Sequence, residues 1–271
     1  MAIEILPLNP ISIIAIAVII GGLVAAYIKK WMMTYALIIT NFIVFVISLV
    51  FSNTIIQQLG FRPIYLTPEL FPQMYTLFTS MFVHSGFLHI FGNMLIFFFI
   101  GMAFEQRIGW SKFLIIYLIT GVGGALTHSI LNLGSITPLV GASGAIFGIM
   151  GAFAFSYPHD KVVMPIPLGF IMVFRRIKVI YAVLIFAAIE TVIVWWEGAT
   201  GSMSSTAHFA HLGGLVSGVI IAALLIDRQR SNPSMSYTSG SQPYTISVGQ
   251  QPRRPYDFAK LSSLATNPDL Q

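Results

Sequence analysis

The chain has 271 residues, of which 56% are hydrophobic and only 8% charged, with a mean hydropathy of +0.84 and a formal net charge of +5. A soluble domain carries about 25% charged residues, so polar groups cannot cover this surface and the chain belongs in a bilayer. The lack of cysteine excludes disulfides, thiolate catalysis and cysteine metal sites, and the excess of Lys and Arg reads as a topological signal, with no nucleic-acid surface to explain.

A helix needs about 20 mainly apolar residues to cross the hydrocarbon core, and blocks of this kind lie at 10–28, 32–52, 80–102, 113–132, 141–157, 177–196 and 206–226. In lipid every backbone amide must be bonded internally, so blocks of this length are predicted to be helices and not barrel strands. The expected fold class is therefore all-α, a polytopic membrane helical bundle. Residues 1–30 read as a retained extra span: Glu4 precedes the apolar stretch and no positive residue does, unlike a cleaved secretory signal. The link from Lys29 to Met33 suits a tight helical hairpin. The six later spans, within residues 31–228, form the candidate catalytic unit.

Between the first two of these core spans, Asn53 to Thr79 holds Pro63, Pro68 and Pro72 among Phe61, Tyr65, Leu70, Phe71 and Tyr75. It is too apolar for a solvated loop, and a half-submerged interfacial structure is expected. Residues 229–271, rich in Ser, Pro, Gln, Gly and Asn, cannot bury enough surface to fold and are expected to be a disordered cytoplasmic tail.

Orientation follows from positive charge, which stays on the cytoplasmic side of short loops. Placing Lys29 and Lys30 inside also places Arg107, Lys112, Lys161, Arg175, Arg176, Lys178, Arg228, Arg230, Arg253, Arg254 and Lys260 inside, and leaves Arg62 outside. The amino terminus is then external.

Polar residues inside spans are costly and few. The second core span carries His84, His89 and Asn93 in HSGFLHIFGNM, the fourth opens with GASGAIFG around Ser143, and the sixth contains AHFAHLGGLVSG with His208 and His211. The charge-based topology puts all three groups near the outer ends of their helices. A hydroxyl, imidazoles and a carboxamide at one depth can hydrolyse an acyl bond. Ser143, flanked by Gly141 and Gly144, falls at a helix start, where an unpaired amide and the positive helix end favour an oxyanion. The same glycines, with Gly148, are also ordinary helix-packing composition. His89 and Asn93, four residues apart, share a face and can donate toward one atom, or bridge two helices. Gly214 and Gly218 form a GxxxG face that would bring His211 close to the fourth span. His208 is expected to be a solvated cap residue. No acidic residue is placed at the depth of the histidines, so a serine–histidine dyad is expected. Glu190, in the fifth core span beside Trp195 and Trp196, is assigned a hydroxyl partner or a neutral form and no catalytic part.

These three motifs, in this order and on alternating spans, resemble the rhomboid intramembrane proteases over roughly residues 34–226. The resemblance implies a six-span core with one extra N-terminal span. It implies Ser143 as nucleophile, His211 as base, and His89, Asn93 and the Ser143 amide as an oxyanion hole. It further implies that Phe147 packs on the His211 ring, that Glu105 and Arg107 in EQRIG are structural, and that substrates enter sideways between the second and fifth core spans. In place of a Trp-Arg pair frequent in the family stand Tyr75 and Thr76. The expected partners are single-pass transmembrane protein substrates and membrane lipid, with no cofactor and no metal. The substrate helix should carry small or helix-breaking residues near its outer end. The expected location is a multi-pass position in the cell membrane, in a prokaryote. A polar cavity should run from the outer face to Ser143, with His84 at its rim.

Two competing readings differ in class. A catalytically silent rhomboid-like protein would bind membrane helices without cutting them, which the paired Ser143 and His211 argue against. A metal transporter would use His84, His89, His128, His208 and His211, but the sequence has neither clustered carboxylates nor HExxH spacing.

Overall fold

The computed structural model describes residues 7–168, 171–200 and 207–226. The expected tail, 229–271, and the basic residues from Arg228 onward lie outside the described residues. Among those described, the helices are α1 (Pro10–Lys29), α2 (Met33–Leu59), the single turn α3 (Thr76–Thr79), α4 (Phe87–Ile108), α5 (Trp110–Leu131), α6 (Ser143–Ser156), α7 (Val179–Thr200) and α8 (His208–Leu225). Six are long and apolar enough to cross a membrane, and α6, at 14 residues, is a shorter apolar helix. The bundle is thus helical as expected, with each apolar block yielding a helix.

Local chemistry sets the boundaries. Asn9 accepts a hydrogen bond from the Ile11 amide and Pro10 opens α1, a cap followed by a residue with no amide to satisfy. Lys30 ends that helix in the left-handed region, its N–H directed at Ala26 and Tyr27 carbonyls. The cap of α2 comes from another helix: Glu105, buried near the end of α4, accepts from the amides of Met33 (2.7 Å) and Thr34 (2.8 Å) and from Thr34 Oγ1 (2.7 Å). A carboxylate at a helix N-terminus satisfies orphan amides and the positive helix end together. Arg107, two residues on, pairs with Asp160 at 2.7 Å, tying α4 to the chain that follows α6.

A β-hairpin interrupts the helices. Lys161–Leu168 (β1) pairs antiparallel with Ile171–Lys178 (β2), in a register that sets Val163 opposite Arg176. The reason is in the residues: Pro165 and Pro167 forbid helix, while between Lys161 and Leu168 the run is otherwise Val, Met and Ile. In a two-strand sheet each strand is an edge, where proline is tolerated.

At the opposite end, the segment between α2 and α4 is compact. Phe61 and Leu139 exchange backbone hydrogen bonds (3.1 and 2.6 Å), and Ile64 donates to the Ser135 carbonyl. Phe61, Tyr65, Leu70 and Leu77 are buried together, whereas Phe71 faces outward. Arg62 is buried within this segment and donates to the carbonyls of Ile136 (2.8 Å) and Gln57 (2.9 Å), with Tyr65 Oη and Gln57 Oε1 also against it. Tyr75 Oη donates to the Gln58 carbonyl and Thr79 Oγ1 to that of Leu59, so Tyr75 anchors the segment where the Trp-Arg pair is missing.

The centre of the bundle is α6, buried at every position from Gly144 to Ala154. Glycine lets α8 touch it backbone to backbone: a Cβ on Gly214 would sit 2.1 Å from the Gly144 carbonyl oxygen, and one on Gly218 2.0 Å from that of Gly148. Thr120 of α5 fills the space beside Gly148 in the same way. A helix of this length rises about 21 Å, short of the roughly 30 Å hydrocarbon thickness. Set with its last residue at one interface, such a helix would hold its first, Ser143, below the other.

Candidate active site

The glycine seam between α6 and α8 controls what their side chains can reach. Because the backbones meet at Gly144 and Gly214, the residues one turn earlier on α8 face the start of α6. His211 Nε2 lies 2.7 Å from Ser143 Oγ, a hydrogen bond between residues 68 apart in sequence. The imidazole ring stacks on Phe147, with centroids 4.6 Å apart and planes within 4°. Phe147 in turn meets the edge of Phe186 on α7.

Ser143 is the first residue of α6, and no side chain caps that helix, so its amide is one of the unpaired amides of a helix start. The approach is shaped by Gly141, whose φ of +121° favours glycine, and whose absent Cβ would lie 2.8 Å from His89 Nε2. The Gly141 amide donates to the Ser80 carbonyl, fixing the turn. His89 therefore leans over the chain two residues before the serine, with Ser85 Oγ 3.0 Å from its Nδ1. Asn93 lies one turn further along α4 on the same face. Ser143, His89 and Asn93 are all half-buried, so the group is reachable from outside the bundle.

Three expectations change. His84 is buried and its ring packs edge-on against His89, 5.0 Å between centroids, so it supports His89 and does not stand at a wet rim. His208 is buried, not a solvated cap: its Nδ1 is 2.5 Å from Glu190 Oε2 and its Nε2 3.4 Å from Glu197 Oε1. The expected absence of a carboxylate beside the base is overturned. Glu190 Oε1 lies 3.0 Å from His211 Nδ1, an oblique approach outside hydrogen-bond alignment. Depth along the chain does not reveal which face of α7 Glu190 occupies, so its place beside His211 is not evident from the sequence. The usable signal was its presence in a span, since an intramembrane carboxylate calls for a named partner.

Glu190, His208 and His211 bring three donor atoms within 4.8 Å of one another, a spacing a metal ion could use. Of the other histidines in the transporter reading, His84 and His89 pack on each other at the start of α4, and His128 sits near the end of α5.

The Rhomboid domain model matches residues 72–228, more than half of the chain. The chain belongs to the rhomboid family. All the polar groups just described fall within that match. Among relatives, RHOMBOID-like protein 1 of Arabidopsis thaliana is 28% identical over 193 residues, 69% of this chain and 43% of that protein. Rhomboid protein 1, mitochondrial, of Saccharomyces cerevisiae is 30% identical over 150 residues, 52% of this chain and 39% of the relative. Rhomboid protease GluP of Bacillus subtilis is 30% identical over 153 residues, 56% of this chain and 26% of that protein. The chain spans less than half the length of these relatives. They come from plant, fungal and bacterial sources, so they assign this rhomboid neither a kingdom nor a particular membrane.

Proposed function

We propose that this rhomboid protein is an intramembrane serine endopeptidase that cuts transmembrane segments of membrane proteins near the outer face of a cell membrane. The observation that carries the reading is the 2.7 Å contact between Ser143 Oγ and His211 Nε2 across two helices. Ser143 Oγ attacks the scissile carbonyl carbon while its proton passes to His211 Nε2. His211 then gives that proton to the leaving amine, and water, activated by the same nitrogen, releases the acyl group. The tetrahedral oxyanion is held by the Ser143 amide at the α6 start, with His89 and Asn93 donating from α4. One such donor is typically worth about 2.7–4 kcal/mol of transition-state stabilisation.

Glycine placement supports this reading, because Gly141, Gly214 and Gly218 admit neighbouring atoms where any Cβ would intrude. The short α6 supports a scissile bond below the surface. A helical substrate has its amides already bonded, so the substrate class is a single-pass helix with small or helix-breaking residues near its outer end. It enters from the lipid between α4 and α7. The basic residues at the far end of the bundle favour that end as cytoplasmic, with the N-terminus outside and residues 229–271 forming a cytoplasmic tail after a core of 31–228.

The test is cleavage in proteoliposomes of a panel of transmembrane peptides, with cut sites mapped by mass spectrometry. The wild type should cut near one end of the apolar segment, and Ser143→Ala and His211→Ala should each abolish cutting while still inserting. Binding of the peptides without cleavage by the wild type would favour a catalytically silent rhomboid.

A further inference from the structure

Resting on the reading of Ser143 and His211 as the reacting pair, we infer that Glu190 is a positioning residue that aligns the His211 base from α7 and makes that alignment depend on where α7 sits. A neutral imidazole carries one proton. For Nε2 to accept from Ser143 Oγ, 2.7 Å away, that proton must be on Nδ1. His211 Nδ1 is buried, and a buried N–H without an acceptor is costly. Glu190 Oε1, at 3.0 Å, is the acceptor the structure sets beside it. A modest rotation of the carboxylate aligns the bond, as happens when catalytic contacts tighten on substrate binding. The negative charge then also stabilises the imidazolium formed when His211 takes the serine proton.

The second carboxylate oxygen does not swing free. It is held by His208 Nδ1 at 2.5 Å, and His208 is flanked on its other nitrogen by Glu197, also on α7. This accounts for His208, which the hydrolytic chemistry leaves without a task. The link to α7 follows from its burial pattern. Its buried residues are Val179, Ala182 and Val183 at its start, and Glu190. Leu184, Ile185, Ile189, Val192, Trp195 and Trp196 are exposed. Beyond its first turns, the contacts of α7 include the polar approaches of Glu190 and Glu197 to His208 and His211 on α8 and Phe186 against Phe147. A helix so held can lean away when a substrate enters beside it, and the carboxylate leaves His211 as it does. The base is therefore oriented only once α7 has closed again.

The experiment follows the time course of Ser143 phosphonylation by a small soluble fluorophosphonate, which needs no passage between helices. In that reaction Oγ bonds to phosphorus, fluoride leaves, and the serine proton goes to His211 Nε2. The amplitude reports the fraction of competent sites and the rate constant reports the base in each of them. Damage to folding alone lowers the amplitude and leaves the rate constant intact. Glu190→Gln, which keeps size but not charge, should lower the rate constant at least tenfold. The loss in Glu190→Gln can approach roughly 10⁴-fold, because its amide N–H can hold His211 in the wrong tautomer, and Glu190→Ala, which only removes the acceptor from Nδ1, should also lower the rate constant. His208→Phe should cause a smaller fall. An unchanged rate constant in Glu190→Gln or Glu190→Ala overturns the inference and leaves the serine–histidine reading standing. Failure of the wild type to react would instead remove that reading, and this inference with it.

Discussion

A methyl group at Gly141 would meet the His89 ring, and the backbone there has a φ of +121°. Gly141→Ala should therefore displace one oxyanion donor and slow phosphonylation of Ser143 by roughly ten- to a hundredfold; a wild-type rate would contradict the part given to His89. Glu105 acts elsewhere, by capping α2. Glu105→Ala should cost about 1–3 kcal/mol in a reversible unfolding measurement, the range for orphaning buried hydrogen-bonding groups. It should leave the phosphonylation rate constant untouched. Most of the site could be read from the sequence, because Ser143, His89, Asn93 and His211 are polar groups in apolar spans, and each such group needs a reason. What could not be read was rotation. Glu190 and His208 are brought together by how α7 and α8 turn toward each other, which spacing along either helix does not encode. Treatment with a chelator should leave cleavage unaltered; loss of cleavage, with recovery on adding zinc, would move Glu190, His208 and His211 to a metal site.

At the scale of elements, the seam between α6 and α8 sets the reach of the dyad. Gly218→Ala would drive a Cβ to 2.0 Å from a backbone carbonyl that has no rotamer to yield, forcing the helices apart. The expected result is loss of both stability and phosphonylation amplitude. Gly198→Ala, with nothing within 4 Å, should be neutral or slightly stabilising, since alanine is favoured over glycine in a helix by about 0.5–1 kcal/mol. Equal outcomes for the two would mean that close approach is not what the glycines provide. Helices were legible because length and apolarity decide them in lipid. The hairpin of β1 and β2 was not, since all but its last two residues lie outside the hydrophobic blocks and it is announced only by Pro165 and Pro167. Nor was the start of α4 at Phe87, which the apolar run from 80 places seven residues early. Met81, Phe82 and Val83 lie on the short turns ahead of the helix, which still pack them into the core.

For the whole molecule, charge and depth make one joint statement. The end bearing Lys29, Lys30 and Arg107 is opposite the end where α6 begins, so a cytoplasmic basic end places Ser143 toward the outside. The chain has no cysteine, so single substitutions report cleanly. A membrane-impermeant maleimide added outside intact cells should modify Phe71→Cys and spare Lys30→Cys, and the reverse pattern would invert the topology. The most direct trial of the central claim is mass mapping of the adduct left by a fluorophosphonate on the purified protein. The wild type should carry a single phosphonyl group on Ser143, and Ser143→Ala and His211→Ala should carry none. Equal modification of all three proteins, or an adduct on another serine, would contradict that claim.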